Sequence, residues 1–192
     1  VQWLTSMARQ AQALAAQEER HILANHLFAN GKALVFAGAF FAGDPGMRWL
    51  KRGLAILDRE ITEQFLPDGG HFELSPMYHA ILLWDMCDLV NLAERSGLPE
   101  LAVRVVFWRG VIERGLIWLE GLCHPDGEIA FFNDAAFGIA PHPKEIRDYA
   151  VALGCNWREQ RTAPLSYVHF ADTGYITVQL GQGGKAFLDV AE

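Results

Sequence analysis

Apolar residues recur at helical spacing through most of this chain. Trp3, Leu4, Met7, Ala11, Leu14 and Ala15 predict a helix over 2–20, and Leu23, Leu27, Leu34, Ala37 and Phe41 predict a second over 22–42. Gly43-Asp44-Pro45-Gly46 interrupts the pattern, and Trp49, Leu50, Leu54, Leu57, Ile61 and Phe65 then mark a third helix that runs to a turn at Pro67. Ser75 reads as an N-cap and Pro76 as a first helical residue, opening a fourth helix with Ile81, Trp84, Met86, Leu89 and Leu92 that stops at Gly97-Leu98-Pro99. A fifth carries Leu101, Val105, Trp108, Ile112, Leu116 and Leu119 and ends at His124-Pro125-Asp126-Gly127.

The third and fifth helices end alike. Pro67-Asp68-Gly69-Gly70-His71-Phe72-Glu73 aligns with Pro125-Asp126-Gly127-Glu128-Ile129-Ala130-Phe131 at an offset of 58 residues. A repeat of two helices and a loop predicts a helical solenoid or an α/α toroid, in which alternate helix ends share one rim and loop residues face a common cleft. Beyond about Gly154 the period changes. Residues 156–166 read as a linker, and Tyr167–Phe170, Gly174–Leu180 and Lys185–Val190 read as strands, the last two joined around Gly181-Gln182-Gly183-Gly184. An isolated hairpin is marginal in water, so a β-domain is expected to begin here and to be cut off at Glu192. The expected fold is mainly α: an incomplete α/α toroid over 1–155, a linker over 156–166, and the first antiparallel strands of a truncated β-sandwich over 167–192.

Composition narrows the function. A chain of 192 residues that is 51% hydrophobic, with six Trp and twelve Phe, can bury a real core, while scattered charges interrupt every apolar run before membrane-spanning length. Membrane insertion is therefore not expected, and a net charge of -7, with no basic stripe for phosphates, argues against nucleic acid and disfavours a densely sulfated ligand. Cys87, Cys123 and Cys155 are odd in number and far apart; they read as packing residues, and no metal site is expected. Val1 enters directly into a helical pattern with no initiator Met and no leader, and the chain is expected to be excised from something longer.

Two places concentrate chemistry. Asn25-His26 opens the run Leu27-Phe28-Ala29-Asn30-Gly31-Lys32-Ala33-Leu34, setting an amide and an imidazole near a helix start. Pro67 through His79 delivers Tyr78 and His79 to the first turn of another helix. Each has a plainer reading: a polar helix start for Asn25 and His26, and a rim aromatic for Tyr78. His71 and Glu73 either brace the Gly-Gly loop or touch substrate. Asn133 and Asp134, in the equivalent loop of the next repeat, either touch sugar or serve a turn. Trp49, Trp84, Trp108 and Trp118 fall on apolar helix faces and read as core. Asp85 and Asp88 read as capping or solvated groups rather than a hydrolytic pair.

The run from Asn25 to Leu34 with the run from Pro67 to His79 resembles the helical domain of heparinase II/III-type polysaccharide lyases over most of residues 1–155. Ala171-Asp172-Thr173-Gly174-Tyr175 and the strand pair that follows are similar to the opening of that family's β-sandwich. The resemblance implies β-elimination at uronic acids of an acidic polysaccharide. Such chemistry needs a base for the C5 proton, an acid for the leaving O4, and neutralisation of the adjacent carboxylate. Carried over by motif, Asn25 hydrogen-bonds the carboxyl group, His26 helps to neutralise it or accepts the proton, and Tyr78 transfers protons at the scissile bond, while His79 is a cleft neighbour. A tyrosine does this if its environment lowers its pKa, with His26 or His79 as the neighbour, or if it acts mainly as the acid. The resemblance also implies further His residues and often a metal in the β-domain beyond Glu192, with no cofactor in this chain, and a periplasmic or secreted location, the cytoplasm remaining open. The competing readings are a non-catalytic polysaccharide-binding or envelope-biosynthesis protein and, third, an α/α-toroid glycoside hydrolase.

Overall fold

The structure, a computed structural model, describes residues 2–22, 24–157, 163 and 165–191. Among these it contains α1 (Gln2–Ala16), α2 (Asn25–Phe40), α3 (Gly43–Gln64), α4 (Pro76–Ser96), α5 (Pro99–Ala102), α6 (Val105–Gly121), α7 (Pro143–Ala152) and strands β1 (Ser166–Phe170), β2 (Tyr175–Gln179) and β3 (Lys185–Asp189). Most of the expected linker, Arg158 to Thr162 and Pro164, lies outside the described residues, as does Leu23. The chain forms two compact units, Val1–Gln64 with Leu92–Ala102, and Phe65–Asn91 with Val103–Glu192.

In the first unit α2 and α3 form a tight helical hairpin. Small residues allow it: a Cβ on Gly38 would lie 2.4 Å from the Leu50 nitrogen, and one on Gly53 would lie 2.6 Å from the Gly31 carbonyl oxygen. Backbones approach this closely only where no side chain intervenes. Leu27, Leu34, Trp49 and Ile56 fill the seam, and α1 adds Ala11 and Ala15. Glu18, in the loop after α1, is paired with Arg20 and Arg52. The Gly43-Asp44-Pro45-Gly46 stretch, expected to break the helix, instead starts α3. Pro45 falls in the first turn, where a missing N–H has no carbonyl to seek, and Asp44 favours the positive end of the helix dipole.

In the second unit α4 and α6 pack through Leu83, whose methyl lies 2.5 Å from where a Gly115 Cβ would stand. The single fifth helix expected from the apolar period is two, α5 at the end of the first unit and α6 in the second, parted at Val103-Arg104, with Val103 and Val106 exposed. Helix α7 went unread in the sequence. Its start is a capping box in which the His142 ring accepts from the Lys144 N–H and the Glu145 side chain accepts from the His142 N–H, with Pro143 in the first turn. The strands form one antiparallel meander in the order β1-β2-β3, so β1 joins the expected hairpin.

The sheet packs on the end of α6 within the second unit. Trp118, Leu122 and Ala130 share a core with Phe170 and Tyr175, which places the sheet and α6 in one unit. Lys185 on β3 donates to the carbonyls of Glu120 (2.9 Å) and Cys123 (2.8 Å), and Thr177 on β2 donates to that of Gly121 (3.0 Å). Three carbonyls at the end of α6 thereby gain donors from the sheet. The three cysteines are buried. Among the described residues no helix is long and apolar enough to cross a membrane.

Candidate functional site

Asn25 and His26 belong to the first unit and Tyr78 to the second. In the first, Asn25 is the opening residue of α2, half-buried, and His26 is exposed with its Nδ1 3.8 Å from a Glu19 carboxylate oxygen. Two buried amides anchor this turn. Asn30 accepts from the Glu19 N–H and donates to the Glu19 carboxylate and the His26 carbonyl, all at 2.9 Å. Gln64 donates to the Ala24 carbonyl (2.9 Å) and to Glu60 (2.8 Å). Neither amide was assigned a role from sequence; the available signal was a polar side chain on an otherwise apolar helix face.

In the second unit Ser75 caps α4 as read, accepting from the Tyr78 N–H at 3.2 Å. The same hydroxyl donates to the Asp134 carbonyl at 2.7 Å, while the Tyr78 hydroxyl donates to the Asp134 carboxylate at 3.3 Å. The structure thus brings together Tyr78 and Asp134, two of the residues singled out from sequence. Asn133, beside them, points elsewhere: its amide donates to the Leu74 carbonyl (2.8 Å), which also accepts from the Tyr175 hydroxyl (2.8 Å). Leu74 and Asn133 both hold positive φ, 56° and 54°, so these bonds fix a loop that an L side chain would not otherwise favour.

The electrostatics of Tyr78 run opposite to one expectation. The Asp134 carboxylate, then burial, then Glu73 raise its pKa above the ordinary phenol value. Tyr78 is a protonated phenol at neutral pH.

His71 and His79 lie inside the second unit, with no exposed surface on either ring. His79 lies 4.6 Å from the Trp118 ring and 6.0 Å from Phe65, with Nε2 2.9 Å from the Gly115 carbonyl. A carbonyl only accepts, so Nε2 carries the proton and Nδ1 is the bare nitrogen; among the described residues that nitrogen has no partner. Burial pushes His79 down to about 4 and, with repulsion from His79, His71 down to about 3. Both are neutral core rings. His71 Nδ1 accepts, at 3.4 Å, from the N–H of Glu73, and so braces the loop.

A cavity of about 540 Å³ opens beside the end of α6, lined by residues that include Glu120, His142, Arg147, Thr177 and Lys185. None of the candidate catalytic or substrate-binding residues lines it, but Pro125, Asp126 and Gly127 of the second Pro-Asp-Gly loop do. Among the described residues no group of three or more His, Cys, Asp or Glu is arranged to hold a metal ion.

The heparinase II/III N-terminus family matches residues 1–152, most of the chain. The chain belongs to the heparinase II/III family. Among curated relatives of this heparinase II/III chain, a heparin-sulfate lyase of Bacteroides stercoris is 32% identical over 112 residues, 58% of this chain and 16% of that protein. One of Pedobacter heparinus is 28% identical over 155 residues, 78% of this chain and 22% of that protein. Among solved structures, heparinase III superposes with a TM-score of 0.76 at 19% identity, over 94% of this chain and 30% of its own. The heparan sulfate lyase HepC from Pedobacter heparinus superposes at 0.64 with 22% identity, over 92% and 29%. These likenesses show a fold: mainly helical, with an antiparallel three-stranded sheet after the helices. The chain spans less than a third of each of these proteins.

Proposed function

We propose that the protein carrying this chain is a polysaccharide lyase that cleaves a uronate-containing acidic polysaccharide by β-elimination. The observation that carries the reading is the Tyr78 hydroxyl held on the Asp134 carboxylate at the mouth of α4 and kept protonated there. In β-elimination the C5–H bond breaks, a C4=C5 double bond forms, and the C4–O4 bond breaks with a proton delivered to O4. A phenol that retains its proton across neutral pH suits delivery to O4. Asn25, at the start of α2, supplies a hydrogen-bond donor for the uronate carboxyl group, whose charge grows as the C5 proton leaves, and His26 beside it either shares that role or takes the C5 proton. Glu73, Asn133 and Asp134, half-buried or exposed, are groups for sugar hydroxyls. The names of the relatives make heparan sulfate the first substrate to try. The same reading puts the protein in the periplasm or outside the cell.

The test is the protein expressed from its complete reading frame, offered heparan sulfate while the ultraviolet absorbance of unsaturated uronate is followed. Tyr78→Phe should lower kcat by about a hundredfold or more with a small change in KM. Residues 1–192 alone should show negligible turnover. A complete protein that binds heparan sulfate but never yields unsaturated ends would replace the lyase with a binding protein, and saturated ends would make it a hydrolase.

A further inference from the structure

Ala24, the residue before α2, holds φ 73° and ψ -139°, a conformation that an alanine rarely adopts, and no side chain caps the helix there. An L residue stays in such a region only when its surroundings over-determine it, and such residues gather where geometry matters. The surroundings are specific. The fully buried Gln64 side chain reaches back 40 positions to donate to the Ala24 carbonyl at 2.9 Å. A second bond, to Glu60 at 2.8 Å, helps to fix which way the amide faces, and Arg59 in turn donates to the other oxygen of Glu60 at 2.9 Å. From the far side of the turn, Asn30 holds the His26 carbonyl. The peptide that launches Asn25 is therefore clamped on both flanks by buried amides.

We propose that Gln64 is a positioning residue for substrate recognition: by holding the Ala24 peptide in its unfavourable conformation it sets the direction in which Asn25 leaves the start of α2. The inference rests on the reading of Asn25 as the hydrogen-bond donor to the uronate carboxyl group. Gln64 touches no substrate itself; it acts through one carbonyl.

The experiment measures binding, not turnover, on the protein from its complete reading frame. Affinities are compared for heparan sulfate oligosaccharides and for the same oligosaccharides with their carboxyl groups reduced to alcohols. Asn25→Ala should erase about tenfold to hundredfold of the preference for the carboxylated form, the worth of a hydrogen bond to a charged group. Gln64→Met, close in volume but without the donor, should erase a similar share, and the double variant should be no worse than Asn25→Ala. Ala24→Pro, which forces φ to about -65° and leaves Gln64 untouched, should reproduce the loss and stands in if Gln64→Met does not fold. A Gln64→Met effect that weakens both ligands equally, or that adds in full to Asn25→Ala, overturns the positioning role, as does an Ala24→Pro variant with its preference intact. If Asn25→Ala itself leaves the preference unchanged, the reading of Asn25 fails and the role of Gln64 in recognition goes with it.

Discussion

The two Pro-Asp-Gly loops of the second unit share a scaffold and differ in everything attached to it. Phe65 bridges His71 in the first, and Cys123 bridges Ile129 in the second, at equivalent positions of the repeat. In the first loop the Leu66 N–H reaches the Gly70 carbonyl at 2.9 Å; in the second the His124 N–H reaches that of Glu128 at 2.7 Å. Asp68 and Asp126 each accept, at 3.0 Å, from the N–H two residues on, and Gly69 and Gly127 both take positive φ. The turn of the first loop is bonded further into the interior. The second oxygen of Asp68 accepts from the N–H (2.7 Å) and hydroxyl (2.9 Å) of Thr173, and that hydroxyl accepts from Trp118 at 2.9 Å. The turn needs its Asp and its positive-φ Gly; the remaining differences belong to what the first loop presents.

The largest expected effect separates Gly70 from its counterpart Glu128. The loop tolerates a side chain at this position, as Glu128 shows, so Gly70 answers to packing alone. A Cβ there would lie 2.4 Å from a Thr173 methyl and 2.5 Å from Trp118 Nε1, in a core that has no slack. Gly70→Ala should cost about 3 kcal/mol in urea unfolding and Glu128→Ala about 0.5 kcal/mol or less. Equal costs would mean that the glycine serves the turn rather than its neighbours.

Next comes the exchange of His71 and Ile129, which occupy the same place in the two loops. Folding holds His71 at about 3, below its unfolded value near 6.5, so the fold favours its neutral form. That contribution is whole above pH 6.5 and is lost as pH falls toward the folded value, at up to about 1.4 kcal/mol for each pH unit. His71→Ile should therefore flatten the acid limb of stability between pH 6.5 and 4.5, on top of a pH-independent loss of about 1 kcal/mol for the Glu73 N–H left without its acceptor, and Ile129→His should steepen the limb. His79, held at about 4, keeps a residual slope of the same sign in both variants. Parallel acid limbs for wild type and His71→Ile would show that the His71 ring takes up its proton without cost.

Much of this was legible beforehand because it is local or periodic. Helix α4 starts where Ser75 and Pro76 say it should, and the two loops align through residues a turn cannot do without. What stayed hidden depends on distant partners. Buried His71 reads like a polar loop residue until Ile129 shows that its place in the repeat is apolar. The Gln64 bond to Ala24 spans 40 positions, and positive φ at Ala24 and Leu74 carries no residue signature, since neither is glycine. The α5–α6 break has no Gly or Pro to announce it. The capping box before α7 was in plain view, but a helix of 10 residues shows too few turns for its apolar period to stand out.

The smallest effect tests where the two loops meet. Tyr78 stands at the end of the first loop and Asp134 in the second, joined side chain to side chain and again through Ser75. The Asp134 charge is the leading cause of the raised Tyr78 pKa, ahead of burial and of Glu73. Asp134→Asn keeps a hydrogen-bonding oxygen but removes the charge, so the phenol should ionise at lower pH than in wild type. The shift is read as tyrosinate absorbance along a pH titration, with Tyr78→Phe subtracted to remove Tyr149, Tyr167 and Tyr175. Solvent and salt screen a pair this exposed, so the difference should shrink as ionic strength rises. Linkage gives a second readout of the same sign. A phenol that keeps its proton longer folded than unfolded supports the fold below about pH 10 and loses that support as pH climbs through its folded value. Asp134→Asn should weaken this alkaline dependence. An unchanged titration in Asp134→Asn would detach the two loops electrostatically and leave the second as a support for the first.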